Sequence, residues 1–249
     1  MKTKFLNIFG IFILIFSSQL LLPASCYSSD LPPGFEVYFT SPTGTTDANR
    51  PGMDFRFYEF INSATLTQKT TIYAAFYDID NSTAIAALNL AYSRGCAVYV
   101  ICDADNFTST AAVNKFNLIK SNYTIKTSSG NEVHNKFCVI KDSSVWTGSW
   151  NATDNCTYDN NNNVVVIRST AIAQYYEQEF LWMYNSGAGR FGDEKSSAKP
   201  SPDWNTKNEY VNGVKVKINF SPYSGPTRTH EAIINELKGD SSLQIEPPQ

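Results

Sequence analysis

No Cys-x-x-Cys pair occurs in this sequence, and its 249 residues include only two histidines, His134 and His230. Without clustered cysteine or histidine ligands, a structural zinc site is excluded as the organising principle. Positive charge is also scarce, since 20 basic against 23 acidic residues leave a formal charge of −3. Such a chain has no global field to gather nucleic acid non-specifically, although a local basic rim would serve. Past residue 22 no apolar run is long enough to span a bilayer, so no stable transmembrane segment is expected in the mature chain. At 42% hydrophobic and 17% charged, the remainder has the composition of a globular protein of one large or two small domains.

What is present begins with a leader. Lys2 and Lys4 precede an apolar run over residues 5–22, followed by Pro23, Ala24, Ser25 and Cys26. This order of charged, apolar and small residues predicts a signal peptide over 1–26 and an exported product, periplasmic or secreted. Ser17, Ser18 and Gln19 interrupt the run and Pro23 closes it short of a comfortable span, which argues against a retained anchor. Loss of Lys2 and Lys4 with the leader takes the formal charge to −5. That balance leans towards a lipid or a small diester over nucleic acid. Cys96, Cys102, Cys138 and Cys156 lie beyond the leader; export permits disulfides, yet the first three sit in apolar runs that suit buried thiols at least as well.

The remaining chain alternates strand and helix signals. Residues 36–40 alternate as a short strand, and 53–64 read as a helix burying Phe55, Tyr58, Phe60 and Ile61. The β-branched and aromatic run over 70–77 reads as a strand covered on both faces. Asp80, Asn81 and Ser82 offer N-caps for a helix ending at Arg94, with Gly95 in the left-handed cap position. Further strands are expected over 97–102, 124–127 and 164–167, with helices over 114–120 and 171–184. The succession predicts an α/β/α sandwich with a mixed β-sheet over residues 31–186. Residues 187–213 read as a linker by composition. At an offset of 173, Phe60, Ile61, Asn62 and Ile72 fall on Ile233, Ile234, Asn235 and Ile245, so 214–249 reads as the start of an incomplete second copy of the fold.

The chemistry concentrates in residues 134–151, HNKFCVIKDSSVWTGSWN. A strand from Lys136 places His134 and Lys136 on one face at its mouth, because side chains alternate. Lys141, Asp142, Ser143 and Ser144 favour a turn, and the apolar run resumes at Val145 and Trp146, so the stretch predicts a β-hairpin. With the turn centred between Asp142 and Ser143, Lys136 faces Ser149 and His134 faces Asn151. An imidazole, an ammonium, a hydroxyl and a carboxamide then converge. That set suits a phosphodiester: a nucleophile for phosphorus, a fixed positive charge for its oxygens, and neutral groups to orient them, with no metal or cofactor required.

The pattern resembles the phospholipase D superfamily, whose signature is His-x-Lys-x4-Asp followed by Gly-Ser-x-Asn. His134, Lys136, Gly148, Ser149 and Asn151 stand in that frame. The aspartate departs from it, since Lys141 occupies its place and Asp142 comes one residue late. The resemblance implies a catalytic pair in His134 and Lys136, phosphate-orienting roles for Lys136, Ser149 and Asn151, and structural support of the motif from Asp142 and Gly148. It implies that one histidine attacks phosphorus to form a phosphohistidine while a second protonates the leaving oxygen. Free imidazole titrates near about 6.5, so either state is accessible.

A second His-x-Lys is absent, for no lysine follows His230 by two residues, and His230 reads as a surface or capping residue. The missing half-site therefore comes from a homodimer or from a second lobe outside this chain. Trp146 reads as hairpin packing, and Trp150 equally as packing or as a pocket wall. Asp78 and Asp80 suit capping better than a metal pair. Asn81, Asn106, Asn122, Asn151 and Asn155 begin glycosylation sequons, and a glycan on Asn151 would block the site. The expectation is a metal-independent phospholipase D-type phosphodiesterase acting on phospholipids. The alternatives are a secreted homodimeric endonuclease of the same superfamily, or an inactive phosphate-binding half-site.

Overall fold

A computed structural model describes residues 31–42, 51–66, 69–103, 106, 123–126, 133–185, 208–220, 233–234 and 237–238. The expected leader over 1–26, the expected helix over 114–120, His230, and most of the expected second copy lie outside the described residues. The described elements are, in order, β1 (Phe35–Phe39), α1 (Met53–Thr65), β2 (Thr71–Phe76), α2 (Ser82–Ser93), β3 (Ala97–Asp103), β4 (Tyr123–Lys126), β5 (Lys136–Ile140), β6 (Ser144–Gly148), α3 (Asp154–Tyr158), β7 (Asn163–Arg168), α4 (Thr170–Asn185), β8 (Glu209–Val211) and β9 (Val214–Val216).

Seven of the strands form one sheet in the order β1-β7-β6-β5-β2-β3-β4. The β2-β3 and β3-β4 pairs are parallel, and the other pairs are antiparallel, which makes the sheet mixed. The parallel pair β2-β3 needs a crossover, which α2 supplies. Asn81 caps that helix by accepting from the Ala84 N–H at 2.9 Å, and Gly95 follows it at φ +90°, where a β-carbon would be strained.

Period-two alternation sends each central strand into two cores. Ile72, Ala74 and Phe76 of β2 join the side covered by α1 and α2, while Tyr73 and Ala75 join the side covered by α4. The result is the expected α/β/α sandwich. On the first side, Phe57 of α1 meets Phe76, Trp146 and Trp150, with ring centroids 5.7, 5.3 and 5.6 Å away. Both tryptophans of the hairpin are thus core residues, and the Trp150 indole donates to Thr157 Oγ1 at 3.1 Å. The expected buried face of α1 is corrected at Phe55: Phe57 is buried with Phe60 and Ile61, while Phe55 is 41% exposed and stacks on the partly buried Tyr58.

The described part of the expected linker, 208–213, is structured. It carries β8 and the turn into β9, so one hairpin crosses the expected boundary at residue 213. Val211, Ile218 and Phe220 are buried in the α4-side core, and Phe220 packs edge-on against Tyr176 with centroids 4.9 Å apart. All four described cysteines are free thiols, three of them buried.

Removing the Trp146 side chain would open a void among Tyr38, Phe57, Phe60 and Trp150. Trp146→Ala is expected to cost about 3–5 kcal/mol, read as a lowered midpoint in urea unfolding.

Candidate active site

The site is built at the open end of the β5-β6 hairpin, where the two strands leave the sheet. The hairpin pairs Ile140 with Ser144 and Phe137 with Thr147. This corrects the expected register by one residue. The reversal takes three residues, 141–143, because Asp142 adopts φ 54° and the Ser143 N–H closes on the Ile140 carbonyl at 3.0 Å. A one-residue slip moves each side chain to the other face. Lys136 consequently stands beside Gly148 and not opposite Ser149.

His134 is exposed and Lys136 half-buried. Both lie against Tyr77, the residue that follows β2: the His134 and Tyr77 rings have centroids 4.9 Å apart, and Lys136 Nζ stands 5.3 Å from the Tyr77 ring centre. Lys136 Nζ also donates to the His134 carbonyl at 3.1 Å. The imidazole and the ammonium are therefore brought together. Ser149 turns the other way: its hydroxyl donates to Asn162 Oδ1 at 3.0 Å and accepts from the Asn163 N–H at 3.0 Å.

Asn151 follows the buried Trp150, and its chain neighbour Ala152 is fastened to the segment that follows β2. Ile79 bridges Ala152, and the N–H groups of Asp80 and Asn81 both donate to the Ala152 carbonyl. The Asn151 amide oxygen is buried without a hydrogen-bond partner among the described residues. Asp80 accepts from the Asp154 N–H at 3.1 Å and Thr153 from the Cys156 N–H at 3.1 Å, so Asp80 serves the start of α3 and leaves α2 to Asn81. Among the described residues, no group of three or more His, Cys, Asp or Glu side chains is placed to hold a metal ion.

Gly148 is where β6 passes closest to its neighbour: a β-carbon there would press on the Asn163 carbonyl and lie 2.8 Å from Val164 Cα. Asp142 lies in the reversal, at the far end of the hairpin from His134. Its contacts run to α4, with its side chain accepting from Gln174 at 3.0 Å and its carbonyl from Thr170 at 2.9 Å. Lys141, standing where the signature has its acid, pairs with Glu177 at 3.2 Å, and Glu177 also accepts from the Tyr73 hydroxyl at 3.0 Å. The hydrogen bond from Lys141 to Glu177 and the charge of that carboxylate push the Lys141 ammonium upward in pKa.

A family model described as "Cardiolipin synthase, PLD-like domain" matches residues 57–184, which include the whole hairpin. This chain belongs to the phospholipase D-like family. The PLD-like domain is 30% identical over 148 residues to a phospholipase D of Rickettsia bellii (strain RML369-C), a match covering 57% of this chain and 65% of that protein. It is 24% identical over 122 residues to the mitochondrial cardiolipin hydrolase of Danio rerio, covering 49% of this chain and 54% of that one. The matches thus span about half to two thirds of the relatives' lengths. Among solved structures it is similar to Nuc of Salmonella typhimurium, a phospholipase D family member, at 25% identity and a TM-score of 0.47 over 61% of this chain and 96% of that chain. In this PLD-like domain, Tyr77 is a site neighbour that the sequence pattern did not single out. The signal for it was present, since an aromatic residue closes the strand that pairs with β5.

Two consequences are testable. Gly148→Ala forces backbone apart and is expected to cost about 1–3 kcal/mol by denaturant unfolding, with loss of activity exceeding the loss of folded protein. Asp78 is held above the usual carboxylate range by burial and by the charge of Asp80, against a lowering hydrogen bond from the Ile79 N–H. Its folded form holds its proton more tightly than the unfolded form, so stability falls as pH rises through that window. Asp78→Asn is expected to stabilise the protein at neutral pH, with the gain vanishing in acid, as read from thermal unfolding at several pH values.

Proposed function

We propose that this chain hydrolyses phosphodiester bonds of phospholipids through a covalent phosphohistidine on His134. The observation that carries the reading is an exposed imidazole beside an ammonium, both fixed against one aromatic ring at the mouth of the hairpin. A nitrogen of His134 attacks phosphorus, and the bond to the leaving oxygen breaks as the phosphorus–nitrogen bond forms. Lys136 offers fixed positive charge to the phosphoryl oxygens. An imidazolium protonates the leaving oxygen, then as imidazole takes a proton from water, which displaces His134 and releases a phosphomonoester. Asn151 is assigned to orient the phosphate through the N–H groups of its amide, and Ser149 to orient it from the neighbouring loop once its hydroxyl is released from Asn162.

The second imidazole is assigned to the partner subunit's His134 in a two-fold homodimer, since a single His-x-Lys supplies one half-site. No metal enters these steps. The lipid substrate is supported by the names of the relatives, a phospholipase D and a cardiolipin hydrolase, and by the acidic balance of the chain. Among the described residues no helix is long and apolar enough to cross a membrane, and export through the leader at 1–26 belongs to the same proposal.

The test is an activity assay on the purified full chain, with phospholipid vesicles and with DNA. Headgroup release with DNA left intact is expected, along with persistence in excess EDTA and a particle mass of two chains. His134→Ala is expected to lower turnover about a thousandfold or more. Cleavage of DNA alone would replace the lipid reading with the endonuclease. Neither activity from a demonstrated dimer would leave a phosphate-binding half-site, and a fully active monomer would overturn the two-subunit site.

A further inference from the structure

We propose that Tyr77 is a positioning residue of this site: its ring holds the His134 imidazole and the Lys136 ammonium at a fixed separation, and the aromatic character of that ring, more than its bulk, is what the site needs. The inference rests on the reading of His134 and Lys136 as the catalytic pair.

The ring's starting point is fixed by backbone. Tyr77 continues the β2-β5 ladder past its last pair, Phe76 with Lys136, by donating its N–H to the Asn135 carbonyl at 2.9 Å. Asn135 lies between the two site residues, so Tyr77 is tied to the point from which both side chains diverge. The Tyr77 carbonyl is held in turn, accepting from the Asn106 amide at 3.3 Å and from the Asp103 N–H at 3.4 Å. A ring anchored on both sides of its own peptide makes a stable wall.

Both site residues use that wall in ways that only an aromatic ring serves well. Lys136 Nζ, 5.3 Å from the ring centre, lies within the range of about 6 Å over which a cation is drawn to an aromatic face. The His134 ring meets Tyr77 at 4.9 Å and 58°, a tilted pairing favoured by the opposed charges of ring edge and face. Because His134 is exposed, burial does not enforce its rotamer, and the ring supplies the constraint. A nucleophile misplaced by about 1 Å loses on the order of a hundredfold in rate. Leucine in place of Tyr77 would keep apolar volume and lose both interactions, whereas phenylalanine would keep both.

The two histidines make the inference measurable by proton NMR of the full chain, with His134→Ala assigning the resonances. The wild-type and Tyr77→Phe proteins are expected to show His134 ring protons displaced by the neighbouring ring current. Tyr77→Leu is expected to return them to the position of free imidazole. In vesicle hydrolysis Tyr77→Leu should lower kcat about a hundredfold with KM within about threefold, and Tyr77→Phe should stay within about threefold of wild type in both. The proposal is overturned if the leucine variant keeps the displaced resonance or wild-type turnover, or if phenylalanine falls as far as leucine. Should Tyr77→Leu not fold, a His134 resonance at the free position in the wild-type and phenylalanine proteins would overturn it alone. A displaced resonance in a protein without phosphodiesterase activity supports the positioning and counts against the enzymatic reading only.

Discussion

Antiparallel pairing between β2 and β5 is the constraint on which the rest depends. These are the middle strands of the sheet, and their ladder runs from Ile72 with Ile140 to Phe76 with Lys136 before passing to Tyr77 and Asn135. Their inner residues are packed on both faces, so the ladder cannot slide without moving an apolar side chain out of one core and into the other. His134 and Lys136 inherit that rigidity, because they emerge at the point where the pairing ends. The His134 imidazole is thus exposed and still held at its base by the ladder.

The same logic explains how the neighbouring segments are fixed. Gly148 lets β6 press against β7, and the Ser149 N–H and hydroxyl then lock onto Asn162 and Asn163. Trp150 drops into the core between Phe57, Phe76 and Trp146. Asn151 is left between a buried anchor and the bridged Ala152. Each signature residue is therefore flanked by a group whose position packing or backbone bonding decides, which is what precise placement of a phosphoryl group demands.

Much of this architecture was legible in the residue pattern. The β-branched and aromatic run at β2, the Asn81 cap and Gly95 stop of α2, and the polar reversal between two apolar runs each name an element through local physics. The register of the hairpin was not legible, because it turned on whether Asp142 would enter the left-handed region, a choice worth little energy for an aspartate. Phe55 was misread for another reason: Phe55 and Phe57 both suit an amphipathic helix, and only the positions of Phe76 and the two tryptophans decide which one is buried. Tyr77 escaped notice because its part in the site comes from a neighbouring strand, and sequence spacing reports contacts along one segment more readily than across two.

The packing of residues 208–220 carries one further meaning. Phe220 rests on Tyr176 of α4 and lies 6.4 Å, centroid to centroid, from Phe137, which is next in sequence to Lys136. Asn212 reaches back to the Pro33 carbonyl just before β1. The packed unit thus exceeds the 57–184 stretch that marks the family, and a minimal expression boundary drawn at α4 would strip cover from the strand that begins at Lys136.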